Sequence, residues 1–247
     1  MKKATPRGAF LGATDYAHRG LHGRGTGFVE NSLPAFAAAV EGGFGIECDV
    51  RLSADGIVFV FHDERLDRLT GERGRLTDRT ADALDRFMLG EDGPIPRLSA
   101  LLALVGGGVP LLIELKVDRG ERAAPLCRAV QDALAGYAGP VAVMSFHPGV
   151  ARWFRTHAPH VPRGLVVTEE GERGRWSATQ RSLAIRLTAP DFLAHDVRDL
   201  PSPFSRQARR RGLPVLSWTV RTAQHWQAVR AHADAAIFEG EPPAHHG

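Results

Sequence analysis

An eight-stranded α/β barrel is the fold the sequence predicts, and three observations carry it. Short apolar runs alternate with longer amphipathic segments, the rhythm of a βα repeat. Two of the runs end in histidine, Ala17-His18-Arg19-Gly20 and Phe61-His62-Asp63. Two others carry acids, Ile46-Glu47-Cys48-Asp49-Val50 and Ile113-Glu114-Leu115-Lys116. If the runs are parallel strands of one barrel, these groups converge at one rim, as side chains at strand ends do in that architecture. Two acid/base candidates, three carboxylates, one Arg and one Lys together suit the cutting of a phosphate ester with help from a hard divalent cation.

Strand-like runs cover 15–18, 45–51, 57–62, 110–116, 141–146, 163–167, 191–195, 215–220 and 235–238. That is one run more than a (β/α)8 TIM barrel holds, so one lies outside it or is irregular. The connection 52–56 is the suspect, because it is too short for a crossover helix. Asn31-Ser32-Leu33-Pro34 opens a helix that runs to about residue 41, where Gly42-Gly43 stops it. Further helices are expected at about 97–105, 122–134, 148–157, 203–211 and 222–231. The stretch 63–96 breaks the rhythm after the third strand-like run. It is charged and irregular until a helical segment at 82–89, and it reads as an insertion at one barrel rim. Leu84, Phe87 and Met88 would there face either a lipid or their own packing partners. No hinge-like linker divides the chain, so residues 1–247 are expected to form a single barrel domain with a loose tail from about 239 to 247.

Composition narrows the function. The chain of 247 residues is 43% hydrophobic and carries a net charge of +3, with acidic and basic residues interspersed. No apolar run approaches the ~18 residues of a membrane span. The basic start is followed by no apolar core of a secretory signal, and two cysteines make no disulfide framework. A cytoplasmic protein is the simplest expectation. Basic residues are not interleaved with aromatics, so nucleic acid is not an expected partner. Lysine occurs only at 2, 3 and 116, against 28 arginines. Lys116 stands two residues after a candidate metal ligand, where a compact ammonium replaces the flat fork used almost everywhere else.

The chemistry follows from spacing. Glu47 and Asp49 are two apart on a strand and share one face, whereas Cys48 points the other way into packing. Two carboxylates on one face repel unless a cation or protons lie between them. Glu114 completes an oxygen-only set that favours Mg²⁺, Ca²⁺ or Mn²⁺ over Zn²⁺. His18 and His62 are the candidates for proton transfer, one at the attacking and one at the leaving oxygen. Arg19 offers a fork for two phosphate oxygens, and Asp63 either orients His62 or begins a loop. Trp218 forms an apolar wall for a small alcohol or a core contact. His147 and His195 also fall near strand ends, with no partner evident in sequence.

Six segments in order resemble the glycerophosphodiester phosphodiesterase family: His18-Arg19-Gly20, Glu30-Asn31-Ser32, Glu47-Cys48-Asp49-Val50, Phe61-His62-Asp63, Glu114-Leu115-Lys116 and Trp218-Thr219-Val220. Leu66-Asp67-Arg68-Leu69-Thr70 and Ile95-Pro96-Arg97-Leu98 resemble the insertion that follows the family's second histidine. The resemblance spans about residues 15–242. It implies a (β/α)8 barrel that cleaves glycerophosphodiesters to glycerol 3-phosphate and an alcohol. Acid/base roles would fall to His18 and His62, metal binding to Glu47, Asp49 and Glu114, phosphate binding to Arg19 and Lys116, and the glycerol side to Trp218. Three features depart from the family pattern. The loop 20–30 is long, Val29 stands where proline is usual, and the final strand ends Ile237-Phe238-Glu239-Gly240-Glu241-Pro242, where Thr followed by Asp or Asn is common.

Rival readings make different demands. An amidohydrolase-type barrel would show a His-x-His pair on its first strand, which is absent. A lysophospholipase D would use the same chemistry on single-chain lipids and need an apolar groove beside the insertion. A non-catalytic phosphodiester-binding barrel would normally lack one of the histidines or carboxylates, and all are present.

Overall fold

A computed structural model of the protein describes residues 8–169 and 178–240. Its strands are β1 (Tyr16–His18), β2 (Gly45–Leu52), β3 (Val58–Val60), β4 (Leu111–Leu115), β5 (Val141–Ser145), β6 (Arg163–Val167), β7 (Phe192–Asp196), β8 (Val215–Val220) and β9 (Ala235–Phe238). Eight of them run parallel in the order β1-β2-β4-β5-β6-β7-β8-β9, and β9 pairs with β1 to close the barrel. The ninth, β3, is antiparallel to β2, with Val50 opposite Val60 and Leu52 opposite Val58. The short connection 53–57 is thus a hairpin. Ser53 Oγ accepts from the Ile57 amide at 2.9 Å, and Gly56 takes φ +89° to turn the chain.

Helices α1 (Leu33–Glu41), α4 (Leu98–Val105), α5 (Ala123–Ala133), α6 (Pro148–His157), α7 (Ala178–Thr188), α8 (Pro203–Arg210) and α9 (Ala223–His232) connect the parallel strands. The single-turn helices α2 (Asp67–Thr70) and α3 (Ala81–Leu84) lie in the insertion. Helix α7 was not among the segments the sequence singled out. The helical segment expected at 82–89 stops at Leu84. Beyond it, the Leu89 amide bonds Gly93 O and the Ile95 amide bonds Phe87 O, so residues 87–89 pair with 93–95 around a turn instead of continuing the helix. Glu239, the first residue of the expected C-terminal tail, is tied to the barrel by its amide, which donates to Val220 O, and 241–247 lie outside the described residues. No described helix is long and apolar enough to cross a membrane.

Alternation along the strands sorts the side chains. Ala17, Ile46, Cys48, Val50, Leu111 and Ile113 face the helices and pack with Phe36, Leu101 and Phe154. The other parity faces the barrel interior, where Tyr16, Leu112, Ala142, Phe192, Leu216 and Ala235 form an apolar plug. Tight interior packing explains Gly164, since a Cβ there would sit 2.4 Å from the Phe192 ring. The insertion has its own small core of Phe59, Phe61, Leu66, Leu76, Leu84, Leu89 and Ile95. Leu84 is fully buried in it, Phe87 is half-buried against it, and Met88 is exposed.

Candidate active site

Interior parity carried one step above the plug gives the site. His18, Glu47, Asp49, Glu114, Met144, Val166, Asp196, Trp218 and Ile237 share the inward-facing parity of their strands, toward the C-terminal ends. Past His18 the chain turns through Arg19 at φ +58° and Gly20 at φ +81°. A Cβ at Gly20 would lie 2.8 Å from the Ala35 backbone, so the turn admits only glycine there. The Arg19 amide donates to Glu47 O at 2.8 Å, which folds its side chain over β2. Its Nε reaches Asp49 Oδ2 at 3.1 Å and its Nη1 donates to Glu30 Oε1 at 2.7 Å. Asn31 donates to Asp49 Oδ2 at 3.1 Å, and Ser32 next to it caps α1. The Asn-Ser pair therefore divides its labour between site and helix.

The acids meet as the spacing predicted. One oxygen each from Glu47, Asp49 and Glu114 lies within 4.8 Å of the others, and all three residues are buried. Lys116 Nζ bridges Asp49 Oδ1 at 2.9 Å and Glu114 Oε1 at 2.8 Å. Burial alone would raise the Asp49 carboxyl. The Lys116 ammonium and the Arg19 guanidinium outweigh it and hold Asp49 below the ordinary carboxylate range. Glu47 goes the other way. Burial, then the charges of Asp49 and Glu114, push its carboxyl well up. Its Oε1 is buried and accepts no hydrogen bond. An orphaned buried oxygen within an oxygen-only cluster fits a hard cation bridging β2 and β4.

Each histidine is held from behind by a carboxylate that an arginine grips. His18 Nδ1 donates to Glu239 Oε1 at 2.6 Å, and Arg221 Nε donates to Glu239 Oε2 at 2.6 Å. His62 Nδ1 donates to Asp63 Oδ1 at 2.7 Å, and Arg68 Nε donates to Asp63 Oδ2 at 2.6 Å. Arg68 also donates to both oxygens of Glu30, at 2.8 and 3.0 Å, tying α2 of the insertion to the partner of Arg19. Arg51 Nε donates to the His62 carbonyl at 2.9 Å and fixes its backbone. Burial, against the pull of Glu239, lowers the His18 pKa to about 4, and burial also lowers that of His62. Burial thus opposes the charged ring at both positions.

A cavity of about 450 Å³ opens above these groups, within the range of small-ligand sites. His18, Arg19, Glu47, His62, Glu114 and Lys116 line its polar side. Met144, Phe146, Val166, Val197, Trp218 and Ile237 line its apolar side. Trp218 is anchored by its Nε1–H to Ala194 O at 2.9 Å and stands edge-on to Phe146, ring centroids 5.4 Å apart. It is a wall of the cavity and not a core contact alone. The two remaining strand-end histidines take other places: His147 caps α6, and buried His195 pairs with Glu169 at 2.9 Å. Sequence reading missed Glu239, Arg68 and Arg221 as partners of the site. Arg68 lay in a quoted segment and Glu239 in a noted departure, but neither had a local signal for its contact.

The fold and site together define a barrel hydrolase equipped for phosphate esters. The model of the glycerophosphoryl diester phosphodiesterase family matches residues 18–239, and the chain belongs to that family. It is 27% identical over 237 residues to a glycerophosphodiester phosphodiesterase of Caldanaerobacter subterraneus subsp. tengcongensis, covering 90% of this chain and 92% of that one. It also superimposes on the crystal structure of the glycerophosphodiester phosphodiesterase of Thermotoga maritima, with TM-score 0.75, 25% identity and 91% and 93% of the two chains covered. A phosphodiesterase of Oleispira antarctica, solved in complex with the product sn-glycerol-3-phosphate, gives TM-score 0.79 at 21% identity over 91% and 92% of the chains. The enzyme is a phosphoric diester hydrolase of the glycerophosphodiester class.

Proposed function

We propose that this protein hydrolyses glycerophosphodiesters to glycerol 3-phosphate and an alcohol, with a divalent cation and two-histidine acid/base catalysis, within one domain of residues 1–247. The carrying observation is that two carboxylate-held histidines line one cavity with Glu47 and Glu114, which cluster with buried Asp49. Those three acids would hold the ion, Mg²⁺ or Ca²⁺ first and Mn²⁺ after them, which when bound polarises the phosphoryl oxygens. Arg19 and Lys116 contact the phosphate and spread the charge that builds up in transit. Trp218 and Phe146 bound the glycerol side. One histidine takes the proton of the attacking hydroxyl, from water or from the substrate's own neighbouring hydroxyl, as the O–P bond forms. The other, as imidazolium beside the anionic ester, gives its proton to the departing alkoxide as the ester bond breaks. Free, buried Cys48 and Cys127 accord with a cytoplasmic enzyme, which is part of the proposal.

The test is release of glycerol 3-phosphate from glycerophosphocholine with Mg²⁺ or Ca²⁺, repeated with excess chelator. We expect metal-dependent release, and His18→Ala to lose about 10²–10⁴-fold in turnover while still binding metal. Turnover that ignores the chelator, or near-normal activity in His18→Ala, would overturn the mechanism.

A further inference from the structure

Strand β9 closes the barrel on β1 by pairing Tyr16 with Ile237 and Ala17 with Phe238. One step further along that register, Glu239 stands beside His18, 221 residues away in the chain. Its carboxylate accepts from His18 Nδ1 at 2.6 Å and is gripped by both Nε and Nη2 of Arg221, at 2.6 and 2.9 Å. The Glu239 amide donates to Val220 O at 3.0 Å, so the backbone that carries the carboxylate is fixed as well. His18 and Arg221 line the cavity, and Glu239 lies behind them.

We propose that Glu239 is a positioning residue, holding the His18 ring by Nδ1 so that Nε2 is the nitrogen offered to the reacting ester. An ionised carboxylate only accepts, so the contact requires the ring proton on Nδ1 and leaves the lone pair on Nε2. His18 then enters the reaction as the proton acceptor, oriented by a buried acid in the manner of a His–carboxylate pair in other hydrolases. The inference rests on the phosphodiesterase reading above.

Glu239→Gln separates positioning from packing. The amide keeps the shape of the side chain but can donate to a bare Nδ1, which favours the proton on Nε2, the wrong nitrogen. We expect kcat on glycerophosphocholine to fall about 10²-fold or more, with KM within about twofold and the melting temperature close to wild type. The imidazole ¹⁵N spectrum of the metal-free wild type should show the His18 proton on Nδ1, assigned by difference against His18→Gln, and Glu239→Gln should move it to Nε2. Wild-type kcat in Glu239→Gln, or a wild-type His18 with its proton on Nε2, would overturn the proposal. The spectrum is read on the wild type without substrate, so it stands even if the variants fail to fold. An inert wild type overturns the phosphodiesterase reading by itself; an active wild type with Nε2 protonated overturns the positioning role by itself.

Discussion

Lys116 and Arg19 are the two cations that meet the acidic cluster, and they serve it differently. The Lys116 ammonium, a compact point charge, fits between Asp49 and Glu114, whereas the Arg19 fork divides between Asp49 and Glu30. Neither pairs with Glu47, whose side-chain contacts are the Arg19 amide at 3.2 Å and the His18 ring at 3.8 Å. Without a metal ion Glu47 is therefore the uncompensated member of the cluster. Replacing Glu47 by Gln removes an acid whose charge the buried site disfavours. The metal-free variant should melt no lower than metal-free wild type, and it should lose most of the rise in melting temperature that the metal causes. Calorimetry with and without Mg²⁺ reads both effects, and an undiminished metal response would show that Glu47 is not a ligand.

At the scale of elements, two devices set the rim. The β2–β3 hairpin carries His62 back over Asp49, with the Phe61 amide donating to Asp49 O at 2.9 Å. The insertion then supplies Arg68, whose fork locks Asp63 and Glu30 together. Below the rim, β6 and β7 depend on a close approach at Gly164. Alanine there would drive its Cβ into the Phe192 ring and overpack the plug, a cost of about 1–3 kcal/mol. For a chain of this size that lowers the melting temperature by about 2–4 °C per kcal/mol. We expect Gly164→Ala to melt lower while keeping its KM, because neither Gly164 nor Phe192 lines the cavity. An unchanged melting curve would mean that Phe192 swings aside without cost.

For the whole molecule, the acidic cluster links β2 to β4, the strands on the insertion side of the barrel. A cation bound there stabilises only the closed sheet, because the unfolded chain does not bring the three acids together. Mg²⁺ or Ca²⁺ at about a hundred times its Kd should add about 2.7 kcal/mol of stability. Thermal unfolding across a metal titration, reversed by chelator, measures it. A flat response would remove the cluster as a metal site.

The local part of this molecule was legible from residue order. Period-two spacing placed Glu47 and Asp49 on one face and Cys48 on the other. The short connection after β2 marked the surplus strand, and the Ser32 cap with Pro34 marked α1. Where tertiary contacts competed with local preference, the reading fell short: residues 87–89 left a helix to pair with 93–95, and Asn31 turned from a cap signal to a partner of Asp49. Sequence by itself determined which groups stand at strand ends and on which face, because backbone alternation is local. Only the tertiary structure decided what stands behind each of them. Glu239 reaches His18 because the barrel closes β9 onto β1, and Arg68 reaches Glu30 because the insertion folds over the rim. Both contacts join segments far apart in the chain, which no local pattern encodes.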